Sequence, residues 1–300
     1  SVATQTTAKE AYRLALLQYE RMSVYNFGPA GVQLLEVYGN FFGGFDNSFS
    51  QQGDLTGYSV DSTSIENNIA SGAYDLTTYS RSSFYSQGFP ALSYLLVGPN
   101  AINKFSANTA NRKKYVKDLT ARLRSIVDKI NTDWTSFRAS FISNTKTDVG
   151  SPIGNLVNQF AYQMDALKGP KIGWPFGKQS NGIVFATKTE AYFNGMSVEL
   201  IKANVAGLKN AFTGGAGNNG LSGYLVSLKK ETLNNDVLAQ FALVADKVNA
   251  IPDPLSTALT AQAPAVEAAY KEIQKLLTLL KTDVASATGV QITFMDNDGD

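Results

Sequence analysis

Two side chains that carry much of protein chemistry near neutral pH are missing from this 300-residue chain, which has no His and no Cys. Nucleophile systems built on imidazole or thiolate are excluded, and so are zinc sites built on those ligands. What remains is oxygen chemistry, which suits calcium, magnesium or ferric iron. Asp296, Asp298 and Asp300 in "DNDGD" match the first, third and fifth positions of a calcium loop. The sequence supplies neither the glycine that should follow them nor the distant bidentate acid. A second candidate is Ser93 in "YSQGFPALSYLLVG" (85–98), a small hydroxyl in an apolar run three residues after Pro90. It either marks a polar site or bonds back to a carbonyl of its own helix. A third is Trp174 in "GWPFG", whose ring beside a rigid turn either anchors a ligand or packs between domains.

Composition narrows the function classes further. With 26 basic against 25 acidic side chains, the chain has no electrostatic footprint for nucleic acid or an anionic membrane surface. No apolar run approaches the eighteen or so residues of a membrane-spanning helix. The first residue, Ser1, opens a polar segment, so an export signal or lipid anchor is expected to have been removed or never present. The absence of Cys leans toward an exported protein.

The elements that must position these residues are helical. Apolar residues recur at helical spacing over 7–25 until "FGPAG" (27–31) breaks the pattern. A Gly-, Asn- and Phe-rich stretch at 39–62 reads as a long structured loop, and "STSIENNIASG" as a short capped helix. Tyr115, Leu119, Leu123, Ile126, Ile130, Trp134, Phe137 and Phe141 form one apolar stripe along a helix at 108–143. Basic residues from Arg112 to Arg124 lie near its start and read as a solvated face diluted by Asp118 and Asp128. "NTKTDVGSPIGN" (144–155) is the best boundary. Beyond it come a helix at 152–168, a turn-rich stretch at 168–182, and helices at 188–212, 221–231, 235–250 and 264–287. The tail "VQITFMDNDGD" alternates like a strand. These patterns predict an all-α protein of two four-helix bundles, residues 1–147 and 148–300.

Four stretches in order resemble one family, the imelysin-like proteins. "VYNFGPA" (24–30) resembles the turn closing the family's first helix, and "SQGFPALSYLLVG" its GxHxxE segment. "KIGWPFGK" followed by "EAYFNGMSVELIKANVAGLKNAFTG" is similar to a second-half pattern of an acidic residue, a small-residue turn, Ser and a long helix. "ITFMDNDGD" resembles the closing DGD motif. The resemblance implies two four-helix bundles, a location outside the cytoplasm (periplasmic or cell-surface, with a lipoprotein form included), and an association with bacterial iron uptake. Its partners would be iron-uptake or cell-envelope components. On the GxHxxE pattern Pro90 stands where the His belongs and Ser93 where the Glu belongs, and Ser23 takes a position that is often acidic. A His and a Glu three residues apart share a helix face and could grip one metal ion. A proline ring and a hydroxymethyl cannot.

The expected ligand site, between the halves, comprises Ser23, Phe27, Gly28, Gly88, Pro90, Ser93, Trp174, Ser197 and Asp298. Iron or calcium has only weak candidates as ligands, namely Asp296, Asp298 and Asp300. The expected function is a non-catalytic exported ligand-binding protein linked to iron uptake. The alternative is a cell-surface module that binds a protein or glycan after loss of the metal site. Metallopeptidase activity ranks last, because HxxE chemistry needs the imidazole this chain lacks.

Overall fold

A computed structural model describes residues 2–43, 57–217 and 219–293. Among these residues there is no strand, and the fold is all-α. The principal helices are α1 (Val2–Met22), α2 (Ser62–Ser71), α3 (Gly88–Val97), α4 (Thr109–Ser143), α5 (Pro152–Ala166), α6 (Ser197–Thr213), α7 (Glu231–Asn249) and α8 (Ala263–Thr278). Local chemistry sets several of their ends. The Asp61 side chain accepts from the Ser64 N–H to start α2, and Gly72 closes it at φ 67°. Ser151 caps α5 through the Gly154 N–H, with Pro152 in the first turn, where its missing donor costs nothing.

Two principal cores result. Tyr12, Leu16 and Leu17 of α1 meet Ile65 and Ile69 of α2, Leu92 and Leu95 of α3, and Tyr115 and Leu119 of α4. Phe160 and Met164 of α5 meet Phe241 and Val244 of α7 and Ile273 and Leu276 of α8. Helix α6 belongs to both. Leu200 and Ala203 face the first core, while Ile201, Val205 and Leu208 face the second. Its remaining face, with Lys202, Ala206, Lys209 and Asn210, is exposed, and α6 lies lengthwise against α1. The distal part of α4 packs on a smaller cluster containing Ala30, Tyr38 and Phe84. Of the basic residues near its start, Arg112 is buried and bonded to Glu66, while Lys113, Lys114 and Lys117 are exposed, Lys114 pairing with Asp118 at 2.6 Å.

Several segments differ from the sequence expectation. The turn-rich stretch after α5 first continues as a π-helical segment, Leu167–Gly173. Pro170 has no N–H to give to the ordinary partner four residues back, so the wider winding takes over. The Trp174 N–H reaches Gly169 O, five residues back, at 2.9 Å. Helix α6 begins at Ser197 rather than 188, because the preceding residues form short 3₁₀ turns at Ala186–Lys188 and Tyr192–Asn194. A further short helix, Leu255–Ala261, precedes α8. Residues 290–293 are irregular, and the rest of the supposed strand lies outside the described residues.

Candidate functional site

Helix α1 carries Glu20 on the same stripe as Leu16 and Leu17, three and four residues on, so the apolar face drags a carboxylate into the interior. The π-helical segment turns Lys171 toward it, and the loop before α6 delivers Glu190. All three are buried, with exposures of 1%, 4% and 1% for Glu20, Lys171 and Glu190. Lys171 Nζ donates to Glu20 Oε1 at 2.9 Å and to Glu190 Oε2 at 2.6 Å. The Asn40 amide donates to Glu190 Oε1 at 2.6 Å and reaches Glu20 Oε1 at 3.4 Å. From α6, Asn204 donates to Glu20 Oε2 at 3.0 Å and to Ser23 Oγ at 2.7 Å, while its own Oδ1 is buried with no donor among the described residues. The Tyr58 ring centroid lies 5.3 Å from the ammonium, within cation–π range.

The electrostatics follow from burial. Desolvation disfavours the ionised Glu20, and the neighbouring Glu190 adds to this, so its pKa rises well above the carboxylate range despite Lys171. Burial also works against the Lys171 ammonium, but the Glu190 and Glu20 carboxylates outweigh it and raise its pKa. A second carboxylate, Glu36, is raised by burial, although it accepts from Tyr162 at 2.6 Å and from Asn26 at 2.8 Å.

The expected site residues divide into groups. Ser23 and Ser197 meet the centre: Ser23 Oγ accepts from Asn204, and the Ser197 hydroxyl donates to the Glu190 carbonyl. Ser93 is buried and donates to Asn194 Oδ1, so its hydroxyl bridges α3 to the turn before α6 instead of bonding back along its own helix. Tyr12 is hydrogen-bonded to Ser93 and feels the Glu190 charge, placing Ser93 one side chain from the centre. Gly88, at φ 69°, lets α3 begin against the 38–39 backbone; a Cβ there would lie 2.3 Å from Gly39 O. That close approach seats the strand of chain leading into Asn40. Pro90 sits in the first turn of α3, partly exposed, with no lone pair to offer.

Phe27 and Gly28 make their contacts elsewhere. The Phe27 ring stacks on Phe141 with centroids 5.8 Å apart, and a Cβ on Gly28 would lie 2.8 Å from Phe137. They join an aromatic ladder at the end of α4. Trp174 is not an exposed anchor: its ring is 4% exposed and packs edge-on to Phe42, because the π-helical turn folds it inward. Asp296, Asp298 and Asp300 lie outside the described residues.

Above Ser93 and Asn194 the surface is hollow. Val97, Pro99, Tyr192, Asn194, Gly195, Asp253 and neighbours bound an open depression of about 560 Å³. A second, of about 420 Å³, shares Asn194, Gly195 and Asp253 and extends to Lys9, Glu10, Arg13 and Glu199. Asp253 fixes the α6 end of this groove by accepting from the Val198 and Glu199 N–H groups at 2.8 and 2.9 Å, which satisfies two donors of a helix N-terminus.

Iron or calcium would need several oxygen ligands converging on a free position. Among the described residues no group of three or more Asp or Glu side chains is so arranged. The two carboxylates that do converge enclose an ammonium, and the residues at 90 and 93 offer no ligating pair. The centre does not fit a metal ion. Sequence reasoning missed Glu20, Lys171, Glu190, Asn40 and Asn204. The available signal was a charge interrupting an apolar stripe, clearest at Glu20.

Fold and site together define an all-helical protein whose two cores share one helix and meet over a buried lysine–carboxylate centre. The chain belongs to the imelysin family, whose profile (Imelysin) matches residues 1–282. Two crystal structures are similar in fold. An imelysin-like protein from Psychrobacter arcticum 273-4 superimposes with a TM-score of 0.72 at 17% identity, over 97% of this chain and 83% of that one. An iron-regulated protein A precursor from Parabacteroides distasonis ATCC 8503 gives 0.74 at 18% identity, over 96% and 84%. No curated protein matches the chain in sequence.

Proposed function

We propose that this protein is a non-catalytic, exported member of the imelysin family that binds a ligand for iron acquisition. The ligand would seat in the groove lined by Asn194, Gly195 and Asp253. The observation that carries this reading is the pairing of an open groove with a closed polar centre beneath it. Asn194 lines the groove and accepts from Ser93, which is hydrogen-bonded in turn to Tyr12 beside the centre, while the centre pairs its own charges internally. Family membership and the fold shared with an iron-regulated protein A precursor support the link to iron. On this reading iron arrives as part of a ligand or through an envelope partner, not as an ion at the centre. The location is periplasmic or cell-surface; no described helix is long and apolar enough to cross a membrane.

The test has two arms. Protein purified from its native source is analysed by native mass spectrometry for a retained ligand, with Asn194→Ala as control. Transcript levels are followed as iron is withdrawn. A ligand lost on Asn194→Ala and a transcript that rises support the reading, whereas indifference to both refutes it. A different reading, an interaction module of the cell surface, draws on the aromatic ladder around Phe27 and Phe141. It is flanked by exposed Met22, Tyr25, Val32 and Ile142. It would be favoured by a transcript that ignores iron together with a protein or glycan partner lost on Ile142→Asp.

A further inference from the structure

The buried centre has the layout of a cation site with its cation covalently attached. Oxygens from two carboxylates on separate segments point at one atom, Lys171 Nζ, at 2.9 and 2.6 Å. Asn40 ties the two carboxylates together on one side, Asn204 holds the far oxygen of Glu20, and Tyr58 offers its ring face. Asn204 Oδ1 is a further buried oxygen with no donor among the described residues. Two carboxylates brought this close repel unless a positive charge or a shared proton lies between them. The lysine arrives on the π-helical segment Leu167–Gly173, which contains Pro170, so the backbone itself is shaped to deliver it.

We propose that Lys171 is a built-in substitute for a divalent cation, and that removing its ammonium turns the centre into an oxygen-ligand metal site held by Glu20 and Glu190. The reach is suitable. Carboxylate oxygens ligate such ions at about 2.0–2.6 Å, so the pair need close only slightly from its hold on Nζ. Shortening the side chain to Ala or Asn vacates the space that the lysine methylenes and ammonium fill. The inference concerns this chain's own centre and stands apart from the groove proposed for the ligand, so either can fail without the other.

Mn²⁺ is the probe, since it accepts oxygen ligands and reports its binding by electron paramagnetic resonance. The wild-type protein, Lys171→Ala and Lys171→Asn are refolded from urea in chelator or in Mn²⁺, then titrated by calorimetry. The wild type should show no Mn²⁺-dependent change in its unfolding midpoint. The variants should lose stability in chelator and regain it in Mn²⁺, with one ion bound per chain. Adding Glu20→Gln and Glu190→Gln to Lys171→Ala should weaken binding by more than the roughly 10–100-fold that loss of a supporting partner costs at metal sites. Folded variants without Mn²⁺ affinity would overturn the proposal. So would binding that the two Gln changes leave untouched, equal binding by the wild type, or failure of both single variants to fold with Mn²⁺ present.

Discussion

Gly207 lies where α6 presses closest on α1, and replacing it with Ala asks two helices to make room. A Cβ at this position would fall 2.2 Å from Arg21 O and 2.7 Å from Arg21 C and Cα, all backbone atoms that cannot rotate away. Ordinary non-bonded separation is about 3.5 Å, so the helices must part locally by roughly 1 Å. Asn204 sits one turn earlier on α6 and Glu20 immediately precedes Arg21. Their 3.0 Å bond would stretch beyond hydrogen-bond range. Overpacking costs about 1–3 kcal/mol, and losing a bond to a buried carboxyl costs about 1.5–3 kcal/mol. The better helix propensity of Ala returns about 1 kcal/mol. The expected net loss is about 2–4 kcal/mol, read as a lower urea midpoint with an unchanged slope. Gly31→Ala serves as control, because Gly31 is exposed and its Cβ would meet only Asn26 O, 3.8 Å away. If Gly207→Ala unfolded at the wild-type urea concentration, the view of α1 and α6 as a contact without slack would be wrong.

Three further outcomes are expected. Glu20 has a pKa raised to about 8, so the folded protein keeps a proton that the unfolded chain releases. Its contribution is fully present below the ordinary carboxylate pKa and fades as pH rises through the folded value, by at most about 1.4 kcal/mol per unit. Between about pH 5 and about pH 8 the wild-type urea midpoint should therefore fall relative to that of Glu20→Gln; parallel pH profiles would contradict this. Asp253→Ala removes the acceptor for two N–H groups of α6 and should cost about 1–2 kcal/mol, with faster hydrogen exchange confined to the first turn of that helix. Ser93→Ala leaves the half-buried Asn194 Oδ1 without its hydroxyl donor. It should cost about 1–2 kcal/mol in chemical denaturation, and a stabilised variant would show that the bond is unimportant.

The sequence made the helices legible wherever one face was apolar and the other polar. Helix α4 runs from Thr109 to Ser143, within a residue of the span 108–143 read from its apolar stripe. Ala191, Phe193 and Met196 continue the apolar pattern ahead of α6 although they sit in and around a short 3₁₀ turn, and so the start of α6 was read nine residues early. The π-helical segment was hidden for a different reason. "KGPKIG" is ordinary turn vocabulary, and only the carbonyls around it decide that the chain keeps winding. In the site, the family-like turns directed attention to Ser23 and Ser197, which do touch the centre. The charges themselves escaped notice because Glu20, Lys171 and Glu190 are far apart in the chain, and each alone reads as a surface residue. Phe27 and Trp174 were grouped with them by motif, whereas contact shape, ring against ring, sends each to its own aromatic neighbours.

The double membership of α6 has a consequence for how the molecule can be divided. A cut in the polar 144–151 segment severs the chain between α4 and α5, yet leaves the first core holding Leu200 and Ala203 from the other fragment. The second core likewise borrows Val24 from the first. Neither fragment carries a full set of its own packing partners, and the buried charges are split between them: Glu20 on one, Lys171 and Glu190 on the other. Such pieces are expected to behave as complementary fragments, poorly ordered apart and restored on mixing, because each is the other's missing interior.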